Sequence, residues 1–247
     1  MTINSRLLTS GCSCTDYCWS TWADFLGLEF NEFLNVGQAG SDNANIARNV
    51  IDHARPKDFV VILWTGWNRQ VLWNDKGCPI SKDLDNHWQY NYERWNKNWL
   101  VNFYSPVERF VNSMDYIRLV DLHSKVVGYT AYHFSTFPWM LGEIEKDPHK
   151  EFENFYKKYK DITNLFLQEQ SLEEFQLQNY NIIVSNWDTH PTPLCHLNYL
   201  NEVIAPKLKI NLMQKDNIKI QTLQQLVMSD QRNFTKSKQE MLGEQYE

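Results

Sequence analysis

No stretch of the 247-residue chain approaches the roughly 20 consecutive apolar residues that a membrane-spanning helix needs. A helical span is therefore excluded, and no membrane partner is expected. The chain also lacks a cationic surplus: 24 Lys and Arg stand against 30 Asp and Glu, a formal net charge of −6. That argues against a general nucleic-acid binder, which needs a basic face. Met1-Thr2-Ile3-Asn4-Ser5-Arg6 leads directly into an apolar run, without the h-region or cleavage site of a secretory signal. The expected location is cytoplasmic. Cysteines are few and odd in number, five at positions 12, 14, 18, 78 and 195. Cys12-x-Cys14-x3-Cys18 does not have zinc-knuckle spacing, and no Cys/His pair follows at finger spacing. These thiols are expected to be small buried hydrophobes in a reducing compartment, with no metal and no cofactor. No internal repeat is visible.

What is present is a globular composition, 43% hydrophobic and 22% charged, unusually rich in aromatics at 14% with ten Trp. Short apolar runs alternate with helix-like segments, the pattern of an α/β protein. Residues 5–11 read as a buried strand and Asp16 to Leu28 as a helix stopped by Gly27. Residues 29–36 read as a second strand, and Ala44 to Ala54 as a helix. Phe59-Val60-Val61-Ile62-Leu63-Trp64 is the most hydrophobic run and reads as a central parallel strand. Ser105-Pro106 has the form of a helix start, with the helix running to about Val127 and stopped by Gly128. Tyr129 to Phe134 is a fourth strand and Tyr180 to Ser185 a fifth. Glu143 to Lys160, Asp161 to Leu177 and Leu194 to Leu208 carry helical character. The expected organisation is a single domain over 1–208, with an aromatic-rich, partly helical insertion at about 70–103. A peripheral helix and polar tail follow over 209–247.

Four strand ends carry chemistry-bearing residues. The first strand ends in Gly11-Cys12-Ser13, which presents a hydroxyl at the carboxyl edge of the sheet, where open α/β sheets bind ligands. Ser13 or Thr15 serves equally well as an N-cap. The second strand ends in Gly37-Gln38-Ala39-Gly40-Ser41-Asp42, an ordinary strand-to-helix loop by itself. The central strand ends in Thr65-Gly66-Trp67-Asn68-Arg69, which puts an amide at the same edge; loop hydrogen bonding is the plain alternative. The last strand is followed by Asp188-Thr189-His190-Pro191-Thr192-Pro193. His133, near the end of the fourth strand, reads as structural or pocket-lining. The aromatics of 70–103 suit either a sugar-stacking platform or a partly exposed cap.

In order and strand context, Gly11-Cys12-Ser13, the Gly37/Gly40 loop, Gly66-Trp67-Asn68 and Asp188-Thr189-His190-Pro191 resemble the four blocks of the SGNH (GDSL-like) hydrolases. The Gly-Cys-Ser-x-Thr and Trp-Thr-x-x-x-Arg forms are similar to a bacteriophage and environmental branch. The resemblance covers residues 5–70 and 180–200. It implies a three-layer α/β/α sandwich with a mostly parallel five-stranded sheet, flavodoxin-like, in order 2-1-3-4-5. It also implies a serine hydrolase: Ser13 as nucleophile, His190 as base and Asp188 orienting it. The N–H groups of Ser13 and Gly40 and the Asn68 amide would form the oxyanion hole. The implied substrate is a small-molecule or glycan ester, above all a carbohydrate O-acetyl ester. Arg69 and Trp67 are candidates for binding it. The sequence departs from the pattern at Cys12 (usually Asp), at Arg69 (usually Asp after Asn) and in the Asp-x-His spacing (usually Asp-x-x-His). His196 is a rival base; His190 is preferred because it directly precedes Pro191. Two other readings remain open: a binding or structural module without turnover, possible for a phage protein, and a transferase using Cys12 or Cys14.

Overall fold

The computed structural model describes residues 3–67, 69–73, 79–83, 105–138, 157–179 and 190–212. Its frame is a sheet of four parallel strands, β1 (Ile3–Gly11), β2 (Phe30–Asn35), β3 (Phe59–Trp64) and β6 (Thr130–Ser135). Their spatial order is β2-β1-β3-β6. That is the expected 2-1-3-4 arrangement; the fifth expected strand, Tyr180 to Ser185, lies outside the described residues. β1 and β3 are central, and β3 is solidly apolar because both its faces are covered. Leu7, Val61, Leu63 and Phe134 pack into one core, Leu8, Val60, Ile62 and Trp64 into the other. The protein is thus α/β, with helices on both faces of a parallel sheet.

One face carries α2 (Asn43–His53) and α3 (Pro106–Val127). Ile46, Ala47 and Val50 recur at helical spacing and meet Phe110, Met114, Ile117 and Val120 of α3. Asp42 caps α2 by accepting from the Asn45 N–H at 3.0 Å, and Ser105 caps α3 in the same way. Gly128 ends α3 in a left-handed conformation, φ 89°, as its position implied. The other face carries α1 (Trp22–Gly27), α4 (Leu172–Asn179), α5 (Pro193–Tyr199) and α6 (Ala205–Leu208).

Three expectations are corrected. The helix expected from Asp16 begins only at Trp22, because Thr21 and Asp24 form a capping box there. Inside the aromatic-rich insertion, the described residues form an antiparallel hairpin, β4 (Arg69–Trp73) with β5 (Pro79–Asp83); residues 84–103, where a helical part is also expected, lie outside the described residues. Gln70-Val71-Leu72-Trp73 is too short for a stable helix and rich in strand-forming types. Asp161 to Leu177 is helical only from Leu172. Its first part covers the outer edge of β6: the His133 N–H donates to the Asn164 carbonyl at 3.2 Å, and Asn164 Nδ2 donates to the Ala131 carbonyl at 3.0 Å. Satisfying an exposed strand edge outweighs the weak helical pattern there. The 194–208 helix is interrupted by one π turn, Leu200–Ile204, between α5 and α6. Most of the expected C-terminal helix and tail, from 213 onward, lies outside the described residues.

Candidate active site

The carboxyl end of β1 forms a tight turn rather than passing into a helix. The N–H groups of Thr15 and Asp16 both donate to the Cys12 carbonyl, at 2.8 and 3.2 Å. Gly11 is required here: a Cβ would fall 2.0 Å from Thr15 Oγ1 and 2.8 Å from the Leu63 carbonyl. The Thr15 carbonyl in turn accepts from Thr21 Oγ1 at 2.7 Å and Asn35 Nδ2 at 2.9 Å. The turn is therefore fixed by side chains from two neighbouring elements, and Ser13 rides on it, only 7% exposed.

Across 177 residues of sequence, His190 Nε2 lies 2.8 Å from Ser13 Oγ. Two devices place the imidazole. Its ring stacks on Tyr17, with centroids 4.1 Å apart and planes 21° off parallel. Tyr17 packs edge-on to Trp19, whose Nε1 donates to the Pro191 carbonyl at 2.9 Å. Thr192 then caps α5 by accepting from the Cys195 N–H. The His-Pro-Thr-Pro stretch thus serves as an extended entry into a capped helix. Tyr17 and Trp19 were not singled out from the sequence as site residues. The signal available was an aromatic pair two residues apart, just after the serine turn.

Of the two histidines considered, His190 is the one that meets Ser13; His196 is buried within α5, 1% exposed. His133 is fully buried. Its Nδ1 accepts from Trp64 Nε1 at 3.1 Å, and burial pushes its pKa down to about 4, so it stays neutral. Cys12 and Cys14 are buried on either side of Ser13. The Cys14 thiol hydrogen bond holds Cys12 well below the usual thiol range, with a smaller contribution from the charge of Arg69. Cys14 itself is pushed up by that bond and by burial.

The loop after β2 is tied to the serine turn. Gln38 N–H donates to the Gly11 carbonyl at 3.0 Å and Val36 N–H to the Thr9 carbonyl at 2.9 Å. Gly40, on this loop, has φ 82°, which favours glycine. The loop after β3 is clamped to α2 by a reciprocal pair: Asn43 Nδ2 donates to the Thr65 carbonyl at 3.1 Å and the Thr65 N–H to Asn43 Oδ1 at 3.0 Å. Trp67 and Arg69, on this loop and at the start of β4, line a cavity of about 140 Å³ with residues of α2 and α3. Asn68 and Asp188 lie outside the described residues. Among the described residues no cluster of His, Cys, Asp or Glu could hold a metal ion, and no helix is long and apolar enough to cross a membrane.

No protein-family model matches the chain, and no curated protein matches it. Among solved structures, the crystal structure of the Bacillus subtilis protein YxiM is similar at 10% identity and a TM-score of 0.35. That alignment covers 92% of this chain and 55% of YxiM, so the chain spans about half the length of that protein.

Proposed function

We propose that the protein is a serine hydrolase of the SGNH type that cleaves an ester, with a carbohydrate O-acetyl ester or related small ester as substrate. The observation that carries this reading is the 2.8 Å contact between Ser13 Oγ and His190 Nε2. A serine hydroxyl becomes a competent nucleophile when a base takes its proton, and imidazole is suited to that near neutral pH. In the proposed cycle Ser13 Oγ attacks the ester carbonyl as its proton passes to His190 Nε2. The tetrahedral intermediate collapses, His190 returns the proton to the departing alkoxide, and the acyl group remains on Ser13. Water, deprotonated by His190, then releases the acid and regenerates the serine. The N–H groups of Ser13 and Gly40 and the Asn68 amide are assigned to the developing oxyanion, each such donor being worth about 3–4 kcal/mol. Asp188 is assigned to the far side of the imidazole, and Tyr17 holds the ring in plane.

The test is incubation with a fluorophosphonate, read by intact mass. A single adduct on Ser13, absent in Ser13→Ala and strongly slowed in His190→Ala, supports the reading. A folded chain that takes no adduct overturns it in favour of a binding module on this fold.

A further inference from the structure

Cys12 and Cys14 bracket Ser13, and the serine chemistry uses neither. Both are reduced thiols, 1% and 8% exposed, packed into the same apolar core as Cys195. The two side chains hydrogen-bond to each other. The backbone explains the contact. On a fully extended strand, residues two apart lie about 7 Å from Cα to Cα. Here the Thr15 and Asp16 N–H groups both close on the Cys12 carbonyl, which curls the chain and shortens that span. It falls within the Cα separation of about 4.4–6.8 Å that a disulfide takes. Either thiol alone fills its space as a small hydrophobe. What the touching pair adds is the capacity to lose two hydrogens together. Cys14 is as open to solvent as Ser13, 8% against 7%, and the hydrogen bond from Cys14 favours a thiolate at Cys12, the form that attacks an oxidant.

We propose that Cys12 and Cys14 form a reversible disulfide on exposure to a hydroperoxide, and that this bond switches Ser13 off. The regulation rests on the ester-hydrolase reading; the disulfide itself does not. The Cys12 thiolate attacks the hydroperoxide, whose O–O bond breaks. Cys12 becomes a sulfenic acid, and the hydroperoxide leaves as an alcohol, or as water from hydrogen peroxide, carrying the proton that Cys12 gave up. The Cys14 sulfur then attacks the sulfenic sulfur. The S–S bond forms, the S–O bond breaks, and the Cys14 proton departs in water. Two thiols are oxidised by two electrons and one hydroperoxide is reduced.

The bond encloses the whole backbone of Ser13 in a small ring. It draws the sulfurs from hydrogen-bond separation to about 2.05 Å, and the turn takes up the movement. His190 does not follow, because its ring is stacked on Tyr17 and the next carbonyl, of Pro191, is held by Trp19. Ser13 Oγ therefore leaves its 2.8 Å contact with His190 Nε2. A displacement of about 1 Å costs reacting groups about a hundredfold in rate. So small a ring is strained and readily reduced, as a transient disulfide in a reducing compartment must be.

In the experiment the full chain is treated with hydrogen peroxide and digested unreduced with chymotrypsin, which cuts after Tyr17 and separates Cys18 from the pair. The expected results are an intact mass lower by two hydrogens and a link between Cys12 and Cys14. Fluorophosphonate labelling should slow at least about a hundredfold and recover with dithiothreitol. Cys12→Ser and Cys14→Ser should each abolish the loss of two hydrogens, whereas Cys195→Ser and Cys18→Ser should retain the link. Digestion of the parent chain locates the link whether or not the buried variants fold. No link, a link from either thiol to Cys18, Cys78 or Cys195, or a link that leaves labelling unchanged overturns the proposal. A reduced chain that takes no fluorophosphonate removes the ester reading by itself. The imidazole resonances of His190, assigned with His190→Ala, then read the displacement: they should shift on oxidation and return on reduction. Resonances unmoved by a formed link overturn the switch.

Discussion

The two ends of β1 are built on opposite principles. At its amino end Arg6, 8% exposed, makes a two-pronged contact with Asp58, Nε donating to Oδ1 at 3.0 Å. Nη2 also reaches the His53 carbonyl at 2.8 Å, and the Arg55 N–H donates to Asp58 Oδ2 at 2.7 Å. Backbone groups thus close the pair on both the guanidinium and the carboxylate side. At its carboxyl end Ser13 is buried and His190 only partly so, and they meet as a hydroxyl and an imidazole rather than as a fixed ion pair. One end holds β1 against the α2–β3 turn; the other holds a hydroxyl against an imidazole. Burial of polar groups thus serves cohesion at one end and, in the proposed reading, chemistry at the other.

Substitutions at the two ends should separate cleanly. Ser13→Ala should abolish fluorophosphonate labelling while leaving the melting temperature almost unchanged; intact mass and calorimetry read the two. His190→Ala should slow labelling by about a thousandfold, the usual loss of a general base. Asp58→Ala should do the opposite, costing about 3–5 kcal/mol by stranding the buried Arg6 charge. The labelling rate of its folded fraction should stay as in the parent chain, and denaturant unfolding measures the loss. Acid should act through the core: His133 has its pKa lowered to about 4 by burial. The unfolded chain then binds the extra proton first, so stability falls as pH drops from about 6.5 towards 4, by about 3 kcal/mol. His133→Gln should flatten that part of the stability–pH curve. Smallest of all, Tyr17→Leu should slow labelling by about tenfold with little change in stability, because it removes the face that aligns the imidazole.

The fold was readable where the pattern was strong. The run Phe59–Trp64 is β3 residue for residue, and Ser105-Pro106 with Gly128 bounds α3. It was unreadable where tertiary contacts override weak local preference. Residues 161–171 serve the edge of β6 instead of forming a helix, and the segment after Ser13 closes into a turn before α1. At the site, the sequence offered Ser13 and His190 as separate strand-end residues, with Arg69 and Trp67 as neighbours of one of them.

The amino-acid sequence alone determined the alternation of strands and helices, because hydrophobic period, caps and glycine stops act within a few residues. It also determined that β1 ends in Gly11 and passes to a hydroxyl at Ser13. Only the tertiary structure decided that Ser13 and His190 stand 2.8 Å apart and that Tyr17 lies flat on the imidazole. Those relations join residues far apart in the chain. No local propensity encodes them; the order of strands in the sheet and the packing of helices across it do.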